Sequence, residues 1–264
     1  MRELRPRRRN VTRSIAVHSY KGGTGKTTIT ANVAVALALK GRRVGVMDMD
    51  LEGPGLHVFF DLDPSQLRFT VNDVLAGVAP PEAACVRMSE KMNLNGGEIY
   101  YTPASVKVSE IMRTLKEGFE LDTFENAIRR LQEKFGLHYL LIDTHPGIQH
   151  DTLLALGICD HQVVISRVDQ QDIFGTGVLV EISSTMDKPV HLILNMIPPR
   201  IRESEVLKFA RTLGAHFTVD MAGWLPFSEE VIGSLSKAIL TLKMPRNPMS
   251  QRFRGLAEAI ESFA

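Results

Sequence analysis

The sequence predicts an α/β protein with a mostly parallel, twisted sheet that helices cover on both faces. Short apolar runs rich in β-branched residues alternate along the chain with longer segments of helical composition, a pattern typical of parallel sheets. Polar or acidic residues follow several of these runs, at the strand ends where such sheets bind ligands. The chain has 264 residues, 44% of them hydrophobic and 23% charged, which suits one domain of this kind.

Seven apolar runs are expected to form strands, namely residues 14–19, 42–50, 98–105, 138–144, 161–167, 191–196 and a short one within 216–226. Four helical patterns lie between or after them, at residues 27–41, 121–136, 203–214 and 248–264. We expect Gly41 to end the first helix and Asp122 or Thr123 to cap the second. Residues from about 58 to 97 are expected to form loops and short helices at the rim of the sheet.

Basic residues are concentrated at the N-terminus. The first thirteen residues contain six arginines and one glutamate, although the net charge of the whole chain is only +1. We therefore expect a basic flexible arm, residues 1–13, and one folded domain, residues 14–264. Such an arm can contact nucleic acid or acidic lipid, but charge runs of this kind are more often solvated tails.

Two cysteines, Cys85 and Cys159, lie far apart in the sequence. This usage suits a reducing compartment and predicts neither a disulfide framework nor a cysteine metal site within one chain. No apolar run approaches the roughly 18 residues of a membrane span. The basic N-terminus is not followed by the apolar segment of a signal peptide, so we expect a cytoplasmic protein.

A glycine-rich loop separates the first expected strand from the first helix. Glycines let backbone N–H groups close around phosphates, and the helix N-terminus adds a positive dipole. Lys26 is predicted to bind the β- and γ-phosphates of a nucleotide, and Thr27 to hold Mg²⁺. The usual phosphate-loop pattern, G-x-x-x-x-G-K-[ST], has a glycine where this chain has Tyr20. The predicted nucleotide-binding residues are Gly22, Gly23, Thr24, Gly25, Lys26, Thr27 and Thr28.

Acidic residues end two further strands. Asp48 and Asp50 are two positions apart at the end of the second strand, so their carboxylates are expected to point the same way, toward Mg²⁺ waters and an attacking water. Asp143 ends the strand at 138–144, in the position of a Walker B acid that holds Mg²⁺ through water. Four residues later, Gly147 is placed to offer its N–H to a γ-phosphate.

The segment "KGGTGKTT" resembles the deviant Walker A motif, KGGxxK[ST], of the MinD/ParA family of P-loop ATPases. The resemblance implies a SIMIBI-like P-loop NTPase fold, the cofactors ATP and Mg²⁺, and slow ATP hydrolysis stimulated by a protein partner. It also implies a homodimer with ATP between the subunits. The family's additional lysine, here Lys21, would contact the partner subunit's nucleotide, whereas Lys26 would bind its own. A cation supplied in this way would act as an arginine finger does.

The same resemblance assigns two switches. Switch I would contain Asp48, nearer the metal, and Asp50, which would position the hydrolytic water, so that Lys21, Lys26 and Asp50 are the expected catalytic residues. Switch II would run from Asp143 to Gly147. The family often has a small residue or proline where this chain has His145, and this departure leaves two interpretations open: an ordinary loop residue, or a source of pH dependence.

The base site is expected at two late strands. The amide of Asn195, at the end of the strand 191–196, can both donate to and accept from a purine edge. The chain lacks the N-K-x-D sequence with which GTPases read guanine, and this favours ATP. By resemblance, Pro226 would line the adenine. A structural role for Asn195 as a strand-end cap remains an alternative.

Three kinds of biological role fit these motifs. The first is a ParA- or MinD-like switch that positions or partitions a cargo, as in chromosome partitioning or cell division. Its surface would be nonspecific DNA, for which residues 200–254 carry nine Lys/Arg against five Asp/Glu, although such a patch is more often a solvated helix face. Membrane binding by the last helix is disfavoured, because its apolar side is expected to pack in the core. The alternatives are a metal- or cluster-delivery ATPase and an ATP-dependent regulatory scaffold.

Overall fold

The computed structural model describes residues 12–263. Its strands are β1 (Arg13–His18), β2 (Arg43–Met49), β3 (Val86–Arg87), β4 (Glu98–Thr102), β5 (Tyr139–Thr144), β6 (His161–Ser166), β7 (Val190–Ile197) and β8 (Asp220–Pro226). They form one sheet in the order β3-β4-β2-β5-β1-β6-β7-β8. Neighbouring strands are parallel except for the short β3, which is antiparallel to β4.

The helices in this part of the chain connect the strands and flank the sheet. They are α1 (Lys26–Leu39), α2 (Leu56–Phe59), α3 (Val71–Leu75), α4 (Val108–Glu117), α5 (Leu121–Phe135), α6 (His150–Ile158), α7 (Gln170–Ser184), α8 (Glu203–Phe217), α9 (Glu229–Gly233), α10 (Leu240–Lys243) and α11 (Pro248–Glu261). Two short 3-10 turns, Pro64–Gln66 and Pro81–Ala83, lie between β2 and β3.

Alternating residues of the strands divide the core into two layers. In β1, Ile15 and Val17 pack with α1, α10 and α11, whereas Ala16 faces the layer that contains α5 and α6. The second layer continues over β6 and β7, where Val164 and Leu192 pack with α8. Helices therefore cover both faces of the sheet, as the sequence predicts.

Helix α1 is buried around nearly its whole circumference because it lies between the sheet and α11. Its segment from Ala31 to Ala38 is fully shielded. The C-terminal end of α1 is held by ion pairs with Glu261 of α11. The Glu261 carboxylate pairs with Lys40 and, at 2.7 Å, with Arg42. Because α1 begins at the glycine-rich loop, this packing fixes one side of the expected phosphate site.

The expected strands and four expected helices are all present, within a few residues of their predicted ends. The predicted cap of α5 is wrong: Glu120, not Asp122 or Thr123, is the N-cap residue, and no side chain caps this helix. Helices α4, α6, α7, α9 and α10 are not among the predicted helical segments. In α7, Gly175 and Gly177 interrupt the helical pattern, and Gly175 is required because a Cβ there would overlap the Tyr20 ring.

The C-terminal helix packs as expected. Phe253, Leu256, Ile260 and Phe263 are all buried in the core shared with α1. Within residues 12–263, no helix is both long and apolar enough to cross a bilayer. The predicted basic arm lies outside the described residues apart from its last two, and Arg13 already belongs to β1.

Candidate functional site

The expected site lies at the carboxyl ends of β1, β2 and β5, the three central strands. A cavity of about 320 Å³ opens there. The glycine-rich loop from residue 21 to 28 forms one wall, and Asp50, Gly55 and Pro146 lie opposite. The predicted P-loop and both predicted switches therefore meet at one cavity.

The loop is held in a conformation that requires glycine at its end. Gly25 has φ +88° and is the N-cap of α1. A Cβ at this position would overlap the amide nitrogen of Asn195, which donates a 2.6 Å hydrogen bond to the Thr24 carbonyl oxygen. Asn195 thus braces the loop from within β7, a structural role different from the strand-end cap that the sequence left open beside base recognition.

A buried ion pair joins the loop to the end of β5. Lys26 Nζ lies 3.3 Å from Asp143 Oδ1, and both side chains are almost completely shielded from solvent. The hydroxyl groups of Thr27 and Thr30 donate to the same carboxylate, at 2.7 and 3.1 Å. Burial raises the pKa of Asp143, and the neighbouring Lys26 charge opposes that shift. These contacts fix the position of the Lys26 side chain beside Asp143.

Asp48 lies opposite Asp143 in the register of β2 and β5. Its carboxylate is fully buried and accepts backbone N–H groups from Asp50 and Leu56, both at 3.2 Å. Burial and the negative charges of Asp143 and Asp50 raise the pKa of Asp48 to about 8.

The arrangement fits Mg²⁺, because two buried carboxylates and the hydroxyl of Thr27 offer the hard oxygen donors that this ion prefers. A divalent cation would also offset the repulsion that raises the Asp48 pKa.

Asp50 lies one residue beyond β2 and does not share the burial of Asp48. Its Oδ1 accepts a hydrogen bond from His145 Nδ1 at 2.8 Å and another from the Gly53 backbone N–H at 3.0 Å. His145 Nε2 lies 3.7 Å from a carboxylate oxygen of Glu52. The residue that departs from the family's pattern thus links the two predicted switches.

Lys21 contacts α7 rather than the end of β5. Its Nζ donates a 2.7 Å hydrogen bond to the side-chain oxygen of Gln171, at the exposed start of α7. The preceding Tyr20, which replaces the usual first glycine, packs against Gly175 of the same helix and joins the apolar cluster beneath it. The two lysines of the loop therefore occupy different environments, one buried beside Asp143 and the other at the surface.

The remaining predicted residues lie around the cavity. The backbone N–H of Gly147 donates to the Ser19 carbonyl oxygen at 3.0 Å, so switch II is hydrogen-bonded to the P-loop in this state. Pro226 ends β8, half-buried, beside Ile197 of β7. Contacts with a base by Asn195 and Pro226 remain predictions.

Sequence reasoning missed the buried histidine at the end of β1. His18 Nδ1 lies 2.7 Å from the Thr144 hydroxyl, which itself donates to the Val17 carbonyl oxygen at 3.0 Å. The hydroxyl has one proton, so His18 donates through Nδ1 and its buried Nε2 lacks a partner among the residues described. Burial lowers the pKa of His18 to about 3. Its only signal in the sequence is a polar residue within an apolar strand.

Comparisons with known proteins cover most of the chain. A family model described as ParA, NUBPL iron-transfer P-loop NTPase, matches residues 10–261. An uncharacterized ATP-binding protein of Methanocaldococcus jannaschii is 37% identical over 152 residues, which are 58% of this chain and 52% of that protein. The septum site-determining protein MinD of Thermotoga maritima is 26% identical over 252 residues, which cover 93% of this chain and 87% of that protein.

The fold also matches a solved structure. The cell division ATPase MinD of Pyrococcus furiosus aligns with a TM-score of 0.79 and 25% identity, covering 96% of this chain and 100% of that one. The match to the M. jannaschii protein spans about half of that relative, whereas the two MinD alignments run almost from end to end. The family model, which matches residues 10–261, spans the loop, both switch segments and all central strands.

Proposed function

Because the chain belongs to the ParA family of P-loop NTPases and is an ATPase of the MinD/ParA type, we propose that it is an ATP-driven switch that forms a homodimer around its nucleotide. The observation that carries this proposal is the placement of Lys21. Lys26 already supplies a cation beside Asp143, whereas the amine of Lys21, which also borders the cavity, donates to Gln171 of α7. A lysine so placed is available to a nucleotide on a second subunit.

The geometry supports the hydrolytic roles that the resemblance implies. Lys26 and the backbone N–H groups of the loop bind the phosphates. Thr27 would hold Mg²⁺ directly, and Asp48 and Asp143 would hold it through water. The ion would neutralise charge on the transferring phosphoryl group. Asp50, which borders the cavity and is less buried than Asp48, orients the attacking water, and Lys21 of the partner subunit stabilises the charge that develops in the transition state.

The dimer would act in the cytoplasm by positioning or partitioning a cargo, with hydrolysis stimulated by a second protein. Nonspecific DNA is the candidate surface, since Arg200, Lys208 and Arg211 are exposed on and before α8. Two other basic residues of this region are engaged in ion pairs, Arg202 with Glu205 and Arg252 with Glu203. A membrane contact through α11 is not proposed, because its apolar side is buried in the core.

Metal or cluster delivery is the second function considered, and the cysteines do not favour it. Cys159 is fully buried and Cys85 is half-buried. Burial raises the pKa of the Cys85 thiol to about 12 and that of Cys159 as well, so neither is a ready thiolate ligand. A regulatory scaffold that binds a protein partner is compatible with the same dimer, and capture with ATP-bound protein would identify it.

The proposal is tested by measuring specific ATPase activity against protein concentration. If Lys21 acts in trans, activity per subunit rises with concentration and levels off when dimerisation is complete. Activity per subunit that stays constant from well below to well above micromolar concentration would exclude a site completed by a second copy. Addition of nonspecific duplex DNA in the same assay examines the candidate surface.

A further inference from the structure

A single side chain in switch II contacts the carboxylate of switch I. His145 Nδ1 lies 2.8 Å from Asp50 Oδ1, and the two side chains are only 18% and 14% exposed. The Gly53 backbone N–H reaches the same oxygen at 3.0 Å. A charge-assisted hydrogen bond shielded to this degree is stronger than one in water, so it restrains the orientation of the carboxylate.

The two oxygens of Asp50 are used differently. Oδ1 accepts both hydrogen bonds, whereas Oδ2 accepts none from residues 12–263. A carboxylate offers about four acceptor positions, two on each oxygen, and both positions on Oδ1 are occupied. Oδ2 is therefore the oxygen that remains for a water in the cavity that Asp50 lines.

His145 is itself fixed from two sides. Its carbonyl oxygen accepts a 3.2 Å hydrogen bond from the Thr152 hydroxyl of α6. It follows the end of β5 by one residue, two positions after Asp143. The other ring nitrogen, Nε2, lies 3.7 Å from Glu52. Both ring nitrogens therefore lie against the loop after β2, and the ring cannot swing without losing its contacts to Asp50 and Glu52.

We propose that His145 is a positioning residue for ATP hydrolysis, which acts by holding Oδ1 of Asp50 so that Oδ2 is presented to the attacking water. In this proposal His145 acts through Asp50, the residue that its Nδ1 contacts. The inference rests on the water-orienting role proposed above for Asp50. It also couples the movement of switch I to that of switch II, because moving either one breaks the same hydrogen bond.

The test compares three substitutions at one position. In His145→Asn, the amide nitrogen falls near the place of ring Nδ1 and retains the donor to Asp50. His145→Gln places its amide near the position of Nε2, and His145→Phe keeps the ring but has no donor. The expected result is that kcat falls about 10- to 100-fold in the Gln and Phe variants, the loss of one hydrogen bond to a charged group. His145→Asn stays within about threefold of wild type, and KM for ATP changes little throughout.

A double-mutant cycle with Asp50→Asn separates positioning from general damage. If His145 acts through Asp50, His145→Phe causes no further loss of kcat in the Asp50→Asn background. Equal activities of the Asn and Gln variants, or additive losses in the cycle, would overturn the inference while leaving the proposed function intact. Asp50→Asn with normal turnover would remove the role of Asp50 and the inference with it. If His145→Phe does not fold, the Asn and Gln pair decides alone.

Discussion

Lys26 Nζ and Asp143 Oδ1 lie 3.3 Å apart at the carboxyl edge of the sheet, with both side chains buried. The pair connects the first residue of α1 to the end of β5, and Thr27 and Thr30 complete the hydrogen bonding of the carboxylate. A buried cation held in this way costs less to present to a phosphate than a flexible one, because its position is already fixed. Nucleotide binding should therefore depend on this pair.

Substituting Lys26 by Ala removes the phosphate cation and leaves Asp143 buried without its ion-pair partner. We expect ATP and ADP affinity to fall by at least about 10- to 100-fold, the effect of losing a hydrogen bond to a charged group. The melting temperature of the apo protein should also fall. Titration with a fluorescent nucleotide measures the first effect. Lys40→Ala, which removes an exposed lysine at the other end of α1, should leave affinity unchanged, and a similar loss in both variants would contradict the assignment.

The loop glycines should differ in their tolerance of alanine. Gly25 and Gly23 both have positive φ, +88° and +75°, which costs an L-residue roughly 1–2 kcal/mol. Only at Gly25 would the added Cβ also overlap Asn195. Gly25→Ala should therefore weaken nucleotide binding and unfolding stability more than Gly23→Ala, and Asn195→Ala should recover part of the difference. Equal effects at the two glycines would show that the contact with Asn195 is unimportant.

Lys21 should be dispensable for binding and required for turnover. In Lys21→Ala, we expect nucleotide affinity within about threefold of wild type, because the amine donates to Gln171 rather than to a residue of its own loop. ATPase activity should fall by about 10³-fold or more if the lysine acts as a finger in trans. Gln171→Ala is the matched control, since it removes the surface contact of Lys21 but leaves the charge. Normal turnover by Lys21→Ala would refute the trans role.

Stability should decline on mild acidification because of a histidine pair far from the nucleotide. His191 of β7 stacks on Phe263 with ring centroids 3.5 Å apart and lies 3.2 Å from the ring nitrogen of His161. Burial and the neighbouring His161 lower the pKa of His191 to about 4. The unfolded chain therefore binds the proton first, so this contribution is complete above about pH 6.5 and is lost as pH falls toward 4.

The measurement is the unfolding free energy by chemical denaturation at pH 7.5 and at pH 5.5. Wild type should lose more stability between the two values than His191→Gln, which has no titrating group at this position. His216→Gln, at an exposed histidine of α8, should keep the wild-type difference. Identical pH dependence in wild type and His191→Gln would mean that protonation of His191 does not control stability in acid.

The parts of the site that sequence revealed are those encoded locally. The P-loop is a contiguous segment between a strand and a helix. Asp48 and Asp143 lie at the ends of apolar runs whose composition predicts buried strands. The contacts of Lys21 with Gln171 and of His18 with Thr144 join residues 150 and 126 positions apart. No local pattern specifies such pairs, because they depend on the order of strands in the sheet.

The same distinction applies to the helices. The amphipathic pattern of residues 121–136 predicts α5, and in the structure Phe124, Ala127, Ile128 and Leu131 form its buried side. In α6 and α7, apolar residues are not confined to one side, and in α7 two glycines weaken the helical propensity. Packing against the sheet and against Tyr20 determines these elements, and that information is not local.

The most direct test of the central claim is the solution mass of Asp50→Ala, measured by light scattering with Mg-ATP and then with Mg-ADP. Removing the proposed water-orienting carboxylate should leave nucleotide binding intact and halt hydrolysis, so that any ATP-bound assembly persists. We predict twice the chain mass with ATP and a single chain with ADP. A monomer in both nucleotides would contradict the dimeric switch and leave Lys21 without its proposed partner.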